Sequence, residues 1–205
     1  MMIDGSGEFA SSDDIATQVS ELYAESQARR LLGRYMFLCD APLPAHGMTE
    51  QQRGDAIAAL FAEDAVWEGV GGTHGAQFGR KVGPRAIAEH MTGFFGVQNP
   101  RLTFNTHYLC TECLVATADG AEGTWVQFQP WIYDDGSSVL RSSRLQVRFV
   151  KTVAGWRISH YRTESLFVVE LSVNWPRTLI ERSELLDAVE PALAGESSRK
   201  LRRSP

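Results

Sequence analysis

The chain has 205 residues, of which 43% are hydrophobic and 22% charged, and a formal net charge of −5. That length gives one ordinary domain with extensions, and that composition supplies a sizeable core and excludes global disorder. The acidic balance excludes a protein that wraps nucleic acid, which needs a basic face. No apolar run reaches the roughly eighteen residues of a membrane span, and the opening lacks the basic-then-apolar order of a secretory leader, so no membrane partner and a cytoplasmic location are expected. Three cysteines, an odd number, agree with a reducing compartment. Cys110 and Cys113 have the spacing of a redox or zinc pair, but they fall on a predicted strand without a second pair and read as plain thiols. The five histidines form no zinc spacing, so neither a metal nor an organic cofactor is expected.

Residues 1–12, rich in Gly and Ser, read as a disordered segment. From Asp13 to Cys39 the pattern is helical: Ile15, Val19 and Leu22 recur at i, i+4, i+7, as do Leu31, Tyr35 and Leu38. Ala41-Pro42-Leu43-Pro44 stops this helix, because proline removes the backbone donor and restricts the residue before it. Thr49-Glu50-Gln51-Gln52 has the form of a capping box opening a second helix through Phe61. Ala65 to Val70 predicts a short strand, and Phe78 to Val82 another. Pro84 suits the first position of a third helix running to about Phe95.

The second half predicts strands. Four stretches rich in Val, Phe, Tyr, Trp and Thr, at about 102–116, 124–133, 139–151 and 156–168, are separated by Asp119-Gly120, Asp135-Gly136 and Ala154-Gly155. Asp-Gly favours tight hairpins because both residues tolerate positive φ. Helices first and an antiparallel meander afterwards predict an α+β fold, with the helices on the concave face of a cone-shaped curved sheet. Residues 13–170 would form this domain, 171–195 a C-terminal helical extension and 196–205 a basic disordered tail. A bent sheet under helices leaves a cavity for a small, mostly apolar ligand. The second of these stretches presents Trp125, Gln127, Gln129 and Trp131 on one face and Val126, Phe128 and Ile132 on the other. The first set suits either a ligand pocket or a wet subunit interface.

Several strings resemble the SnoaL-like group of the nuclear transport factor 2-like (cystatin-like) superfamily. Leu60-Phe61-Ala62-Glu63-Asp64-Ala65-Val66-Trp67-Glu68 is similar to its helix-to-strand signature. Gly79-Arg80-Lys81-Val82-Gly83-Pro84-Arg85-Ala86-Ile87 is similar to its entry into the third helix, and Gly155-Trp156-Arg157-Ile158 to the start of its last strand. The resemblance covers about Ala16 to Phe167 and implies a mixed or antiparallel sheet. It specifies fold well and chemistry poorly, since the fold hosts isomerases, dehydratases, cyclases, hydrolases and non-catalytic subunits.

Chemistry must come from cavity residues. Tyr35 and Asp40 end the first helix, and His107 lies on the first long strand. This set resembles the subgroup of scytalone dehydratase, hexachlorocyclohexane dehydrochlorinase and bile-acid 7α-dehydratase. It implies a helix Asp paired with a strand His, a Tyr and a late-strand Arg, for which Arg162 is the candidate. The implied reaction is an elimination: His107 takes a proton, Asp40 orients and charges the imidazole, and Tyr35 assists the departing group. Trp67, Trp125, Gln127 and Trp131 are the expected substrate contacts, and the substrate class is a bulky apolar alcohol such as a steroid or polycyclic compound. The resemblance also implies a homo-oligomer, a trimer before a dimer.

The physics stands without the names. Imidazole is the side chain that accepts a proton near neutrality, and a carboxylate on its other nitrogen fixes the tautomer and stabilises the imidazolium. On a continuous helix, however, positions 35 and 40 lie about 140° apart, so the helix must loosen before Asp40. Each residue alone also has a plainer role: a cap for Asp40, a structural strand His for His107, a core aromatic for Tyr35. His160 shares a predicted face with Arg162, whereas His46, His74 and His90 are read as solvated. A ketosteroid-isomerase-like reading requires an Asp just after Glu68, where Gly69 stands. An epoxide-hydrolase-like reading requires interior Asp residues that the strands lack. A non-catalytic carrier, or a scaffold like the small subunit of a ring-hydroxylating dioxygenase, remains as the reading without chemistry.

Overall fold

The computed structural model describes residues 12–42, 47–72, 78–96 and 99–172. The expected opening segment, the C-terminal helix beyond Ser172 and the basic tail lie outside these residues. Helix α1 (Ser12–Cys39) is followed by α2 (Glu50–Ala58), β1 (Phe61–Val70), β2 (Arg80–Val82), α3 (Pro84–Phe95), β3 (Leu102–Asn105), β4 (Tyr108–Ala116), β5 (Gly120–Tyr133), β6 (Ser138–Thr152) and β7 (Gly155–Glu170).

Only the second half of α1 is buried. Ala24, Ala28, Leu32, Tyr35 and Cys39 form the inward stripe at helical spacing, and the two alanines let the helix lie close to the sheet. The apolar repeat of Ile15, Val19 and Leu22 is instead exposed. Helix α2 starts as the sequence predicts. Thr49 Oγ1 accepts from the Gln52 backbone N–H and Gln52 Oε1 accepts from the Thr49 N–H, so two of the orphan donors of the first turn are satisfied. It ends at Ala58 rather than Phe61, because Phe61 already begins β1. Gly83, at φ 85°, takes the left-handed turn that starts α3 with Pro84 in its first turn.

The seven strands form one strongly curled mixed sheet in the order β2-β1-β7-β6-β5-β3, with β4 also paired to β5. β1 runs parallel to β7, and the other pairings are antiparallel. The inner face of β6 carries Leu145, Val147 and Phe149, and that of β7 carries Trp156, Ile158 and Tyr161; all are buried against Leu32, Ile57, Ile87 and their neighbours.

Two departures from regular pairing position the site. The stretch predicted as one strand over 102–116 is two, β3 and β4, with Thr106 and His107 in the gap. The residues opposite that gap on β5 are Gln129 and Pro130, and proline has no N–H for a ladder bond. His107 is therefore not a strand residue, and its backbone N–H is free for another acceptor. The second departure is in β7, where Arg148 pairs with His160 and the next residue of β6, Phe149, pairs with Ile158. Ser159 is a bulge, one extra residue that reverses which side chains face inward beyond it.

Candidate functional site

After Cys39 the chain leaves α1 and makes a two-bond bridge to the end of β3, with Ala41 N–H donating to Asn105 O at 2.9 Å and Asn105 N–H to Ala41 O at 2.7 Å. Asp40 is thus off the helix, which resolves the angular conflict with Tyr35, and it faces the β3–β4 gap. Its Oδ1 accepts from the freed His107 backbone N–H at 3.0 Å and pairs with His107 Nδ1 at 2.8 Å. The His107 side chain is 6% exposed and that of Asp40 17%. With an ionised carboxylate on Nδ1, that nitrogen carries the proton and Nε2 presents its lone pair. Gln129 donates to Nε2 at 2.9 Å and, through the same amide nitrogen, to Asn105 Oδ1 at 2.7 Å. Asn105 in turn donates to Cys39 O at 2.9 Å, so the imidazole is fixed from both sides.

The frame behind the pair is a buried arginine. Arg53, 1% exposed, donates to Leu38 O at 2.7 Å, Phe95 O at 2.8 Å and Asp40 O at 3.1 Å, with Glu50 Oε1 3.6 Å away. It satisfies carbonyls at the C-terminal ends of α1 and α3, where a helix leaves them unpaired and partly negative.

Tyr35 lies in the same interior but does not touch the pair. Its hydroxyl accepts from Trp67 Nε1 and donates to Met91 Sδ, both at 2.9 Å, and its ring meets Phe61 and Tyr161 edge-on. Burial pushes its phenol well above the ordinary value, and the same cause pushes the neighbouring Cys39 thiol up to about 12, so both keep their protons at neutral pH.

The cavity is lined by Tyr35, Trp67, Phe78, Met91, Phe95, His107, Gln127, Gln129, Trp131, Arg141, Ser143, Tyr161 and Thr163, around a free space of about 40 Å³. Of the sequence-derived candidates, Tyr35, His107, Trp67, Gln127 and Trp131 line it, and Asp40 stands directly behind His107. Trp125 shares their face of β5 but lies outside the lining. Its indole N–H donates to Glu112, its ring meets Phe149 edge-on, and it lies over Gly123 so closely that a Cβ there would be 2.3 Å from the ring. Arg162 is not a cavity residue. The Ser159 bulge turns Tyr161 and Thr163 inward and Arg162 outward, where it donates to Gln146 and Glu164. The same inversion puts His160 against Glu68 at 2.9 Å. His90 is not solvated: its ring lies half-buried against Trp67 and Phe94, and burial lowers its basicity.

The cavity's cation is Arg141, near the start of β6. Its guanidinium lies 4.6 Å from the ring centres of both Phe78 and Trp131. The signal for it was present in the sequence, since Arg141 falls in phase with Leu145, Val147 and Phe149 on the inward face of β6. Arg53 also had one, standing a helical turn before the buried Ile57. Gln129 was placed on a strand face that suited either a pocket or a subunit interface, and its link to His107 required the β3–β4 gap. Among the described residues no cluster of three or more His, Cys, Asp or Glu could hold a metal ion, and no helix is long and apolar enough to cross a membrane.

The model of the SnoaL-like domain matches residues 20–162. No curated protein matches the sequence. Among solved structures, the hexachlorocyclohexane dehydrochlorinase of type 3 from Novosphingobium barchaimii is 15% identical over 76% of this chain and 95% of its own, with a TM-score of 0.59. A protein proposed to be a scytalone dehydratase, from Novosphingobium aromaticivorans, is 14% identical over 82% and 99%, with 0.58. Another from that organism, proposed to be an aromatic ring hydroxylase, is 22% identical over 75% and 96%, with 0.56. At these identities the likeness is one of fold.

Proposed function

Because the chain belongs to the SnoaL-like domain family, we propose that it is a cofactor-free lyase that removes water from an apolar hydroxylated small molecule. The observation that carries this is the His107–Asp40 pair: a carboxylate oxygen at 2.8 Å from Nδ1, with His107 lining a small, mostly aromatic cavity. His107 Nε2 accepts a proton from the carbon beside the one bearing the hydroxyl. The C–H electron pair becomes the double bond, the C–O bond breaks, and the imidazolium returns its proton to the departing oxygen, so water leaves and the base is restored. Asp40 stabilises the imidazolium in between. Tyr35, still protonated, offers its hydroxyl to the departing oxygen in place of the weak acceptor Met91 Sδ. Gln129 must first release Nε2, which it can do while keeping its bond to Asn105.

A steroid or polycyclic substrate enters only if the lining residues move, since a free space of about 40 Å³ is far below the several hundred Å³ of pockets that enclose such molecules. The same small volume favours, as a second reading, a carrier of a small ligand without turnover. The exposed side of the sheet, with Tyr108, Phe167 and Val169, is the proposed contact of a homo-oligomer, a trimer first.

The test is a screen of hydroxylated cyclic compounds for loss of water by mass spectrometry, followed by His107→Ala and Asp40→Asn. Each variant is expected to remain folded and to lose about 10²–10⁴ in turnover. Near-full turnover in either folded variant would remove the pair from the mechanism.

A further inference from the structure

Three polar groups in the cavity wall have no part in that elimination. Arg141, 9% exposed as a residue, makes no ion pair or hydrogen bond among the described residues, and its guanidinium lies against two rings. The Gln127 carbonyl oxygen, on a side chain 5% exposed, has no hydrogen-bond partner, and neither has the indole N–H of Trp131. All three residues line the space that His107 lines. Buried polar groups are almost always bonded, and a buried cation is almost always paired, because each loses its hydration without compensation. Arg53, in the same protein, shows what a satisfied buried arginine looks like. Gln127 Oε1 and Trp131 Nε1 are buried without a partner, and the Arg141 guanidinium beside them, which keeps some contact with solvent, has no protein acceptor among the described residues.

We propose that the part of the lining formed by Arg141, Gln127 and Trp131 is a carboxylate-binding subsite, so that the substrate is a compact cyclic hydroxy acid whose carboxylate sits on Arg141 and whose hydroxyl donates to Gln127. This rests on the elimination reading for the fate of the hydroxyl, but the carboxylate contact stands independently of it. A guanidinium is a planar fork of donors that matches a carboxylate with two parallel bonds. Phe78 and Trp131 cover its faces and leave its edge as the direction in which those donors can be used. The cavity is otherwise aromatic, with Tyr35, Trp67, Phe95 and Tyr161 suited to the flat body of a ring. Burial lowers the guanidinium to about 10, so it remains a full cation at neutral pH. The free space of about 40 Å³ holds roughly two or three waters or one small polar group, which is the size of a carboxylate, and the ring then displaces Phe78 from the guanidinium face.

The experiment is calorimetric and NMR titration of the full chain with acetate and benzoate, against acetamide and benzamide as neutral counterparts of the same shape. Benzoate is expected to bind at least tenfold more tightly than benzamide, with shifts at Trp131 and His107. Arg141→Met and Arg141→Gln, checked for folding by circular dichroism, are expected to abolish that preference, and His107→Ala to keep it. In Gln127→Leu, benzoate affinity should persist while the extra affinity for 3-hydroxybenzoate over benzoate disappears. Equal binding of benzoate and benzamide, no binding of either, or unchanged benzoate affinity in both Arg141 variants overturns the subsite. If benzoate binds through Arg141 but no cyclic hydroxy acid loses water, the subsite stands and the lyase reading falls. If neutral alcohols are dehydrated in a His107-dependent way and Arg141→Met is unaffected, the reverse holds.

Discussion

Two buried arginines divide this protein into a region that is finished and a region that is waiting. Arg53 lies where α1, α2 and α3 converge, and each of its three nitrogens donates to a backbone carbonyl within 3.1 Å. Arg141 lies across the interior on β6, flanked by rings and without an acceptor. The first turns the cost of burying a charge into a fastening for two helix ends and for the segment bearing Asp40. The second offsets that cost only with two ring faces and residual solvent, and a cation left without an acceptor persists at a site used for something other than stability. Burial alone would have grouped the two residues together, and the inventory of acceptors separates them.

The contrast can be broken from either side. The largest expected effect on stability is Arg53→Met, which orphans carbonyls at both helix ends and should destabilise by about 3–5 kcal/mol in urea unfolding, with loss of the Asp40 geometry. Arg141→Met should move the other way. Removing an unpaired buried charge in favour of an apolar chain of similar length is expected to stabilise by about 1–3 kcal/mol, read as a raised Tm. A loss of stability there would mean that Arg141 has an internal partner after all.

The pH dependence sharpens the same point. Burial lowers the Arg141 guanidinium from its ordinary value to about 10, so the unfolded chain binds the proton more tightly than the folded one. The penalty is fully present below about 10 and is relieved as pH rises from there toward the ordinary guanidinium range. The stability gap between Arg141→Met and the unaltered protein should therefore narrow above pH 10, whereas a gap constant with pH would remove the charge from the explanation. The smallest effect belongs to the approach to Arg53. Thr49→Ala deletes the side-chain half of the capping box and should cost about 1 kcal/mol in thermal unfolding, without altering benzoate binding.

Much of the scaffold was legible because its signals are local. The stop at Pro42, the Thr49–Gln52 box, Pro84 at the head of α3 and the turns at Asp135-Gly136 and Ala154-Gly155 need only neighbours in the chain. The site was legible in part. The sequence could nominate Asp40 and His107 as a pair, but what brings them together is a bridge from Ala41 to Asn105 and a gap opposite Pro130, neither of which has a periodic signature. Arg162 was nominated as the late-strand Arg that the resemblance implies, and the bulge at Ser159, which has no sequence signature, turns it away from the cavity. Arg141 went unnoticed although its phase was correct, because a charged residue in an alternating strand is normally assigned to the wet side.

The spare residue at Ser159 has a consequence for how such a pocket can change. Beyond it, β7 offers two alternative sets of wall residues: Tyr161 and Thr163 in the existing frame, His160 and Arg162 in the other. Losing one residue at that point would exchange an aromatic, hydroxyl-bearing wall for an imidazole and a second cation, with no substitution anywhere in the strand. The lining is thus held in a single count of amino acids, and descendants of this chain can acquire a different solvent-excluded chemistry through the shortest possible deletion.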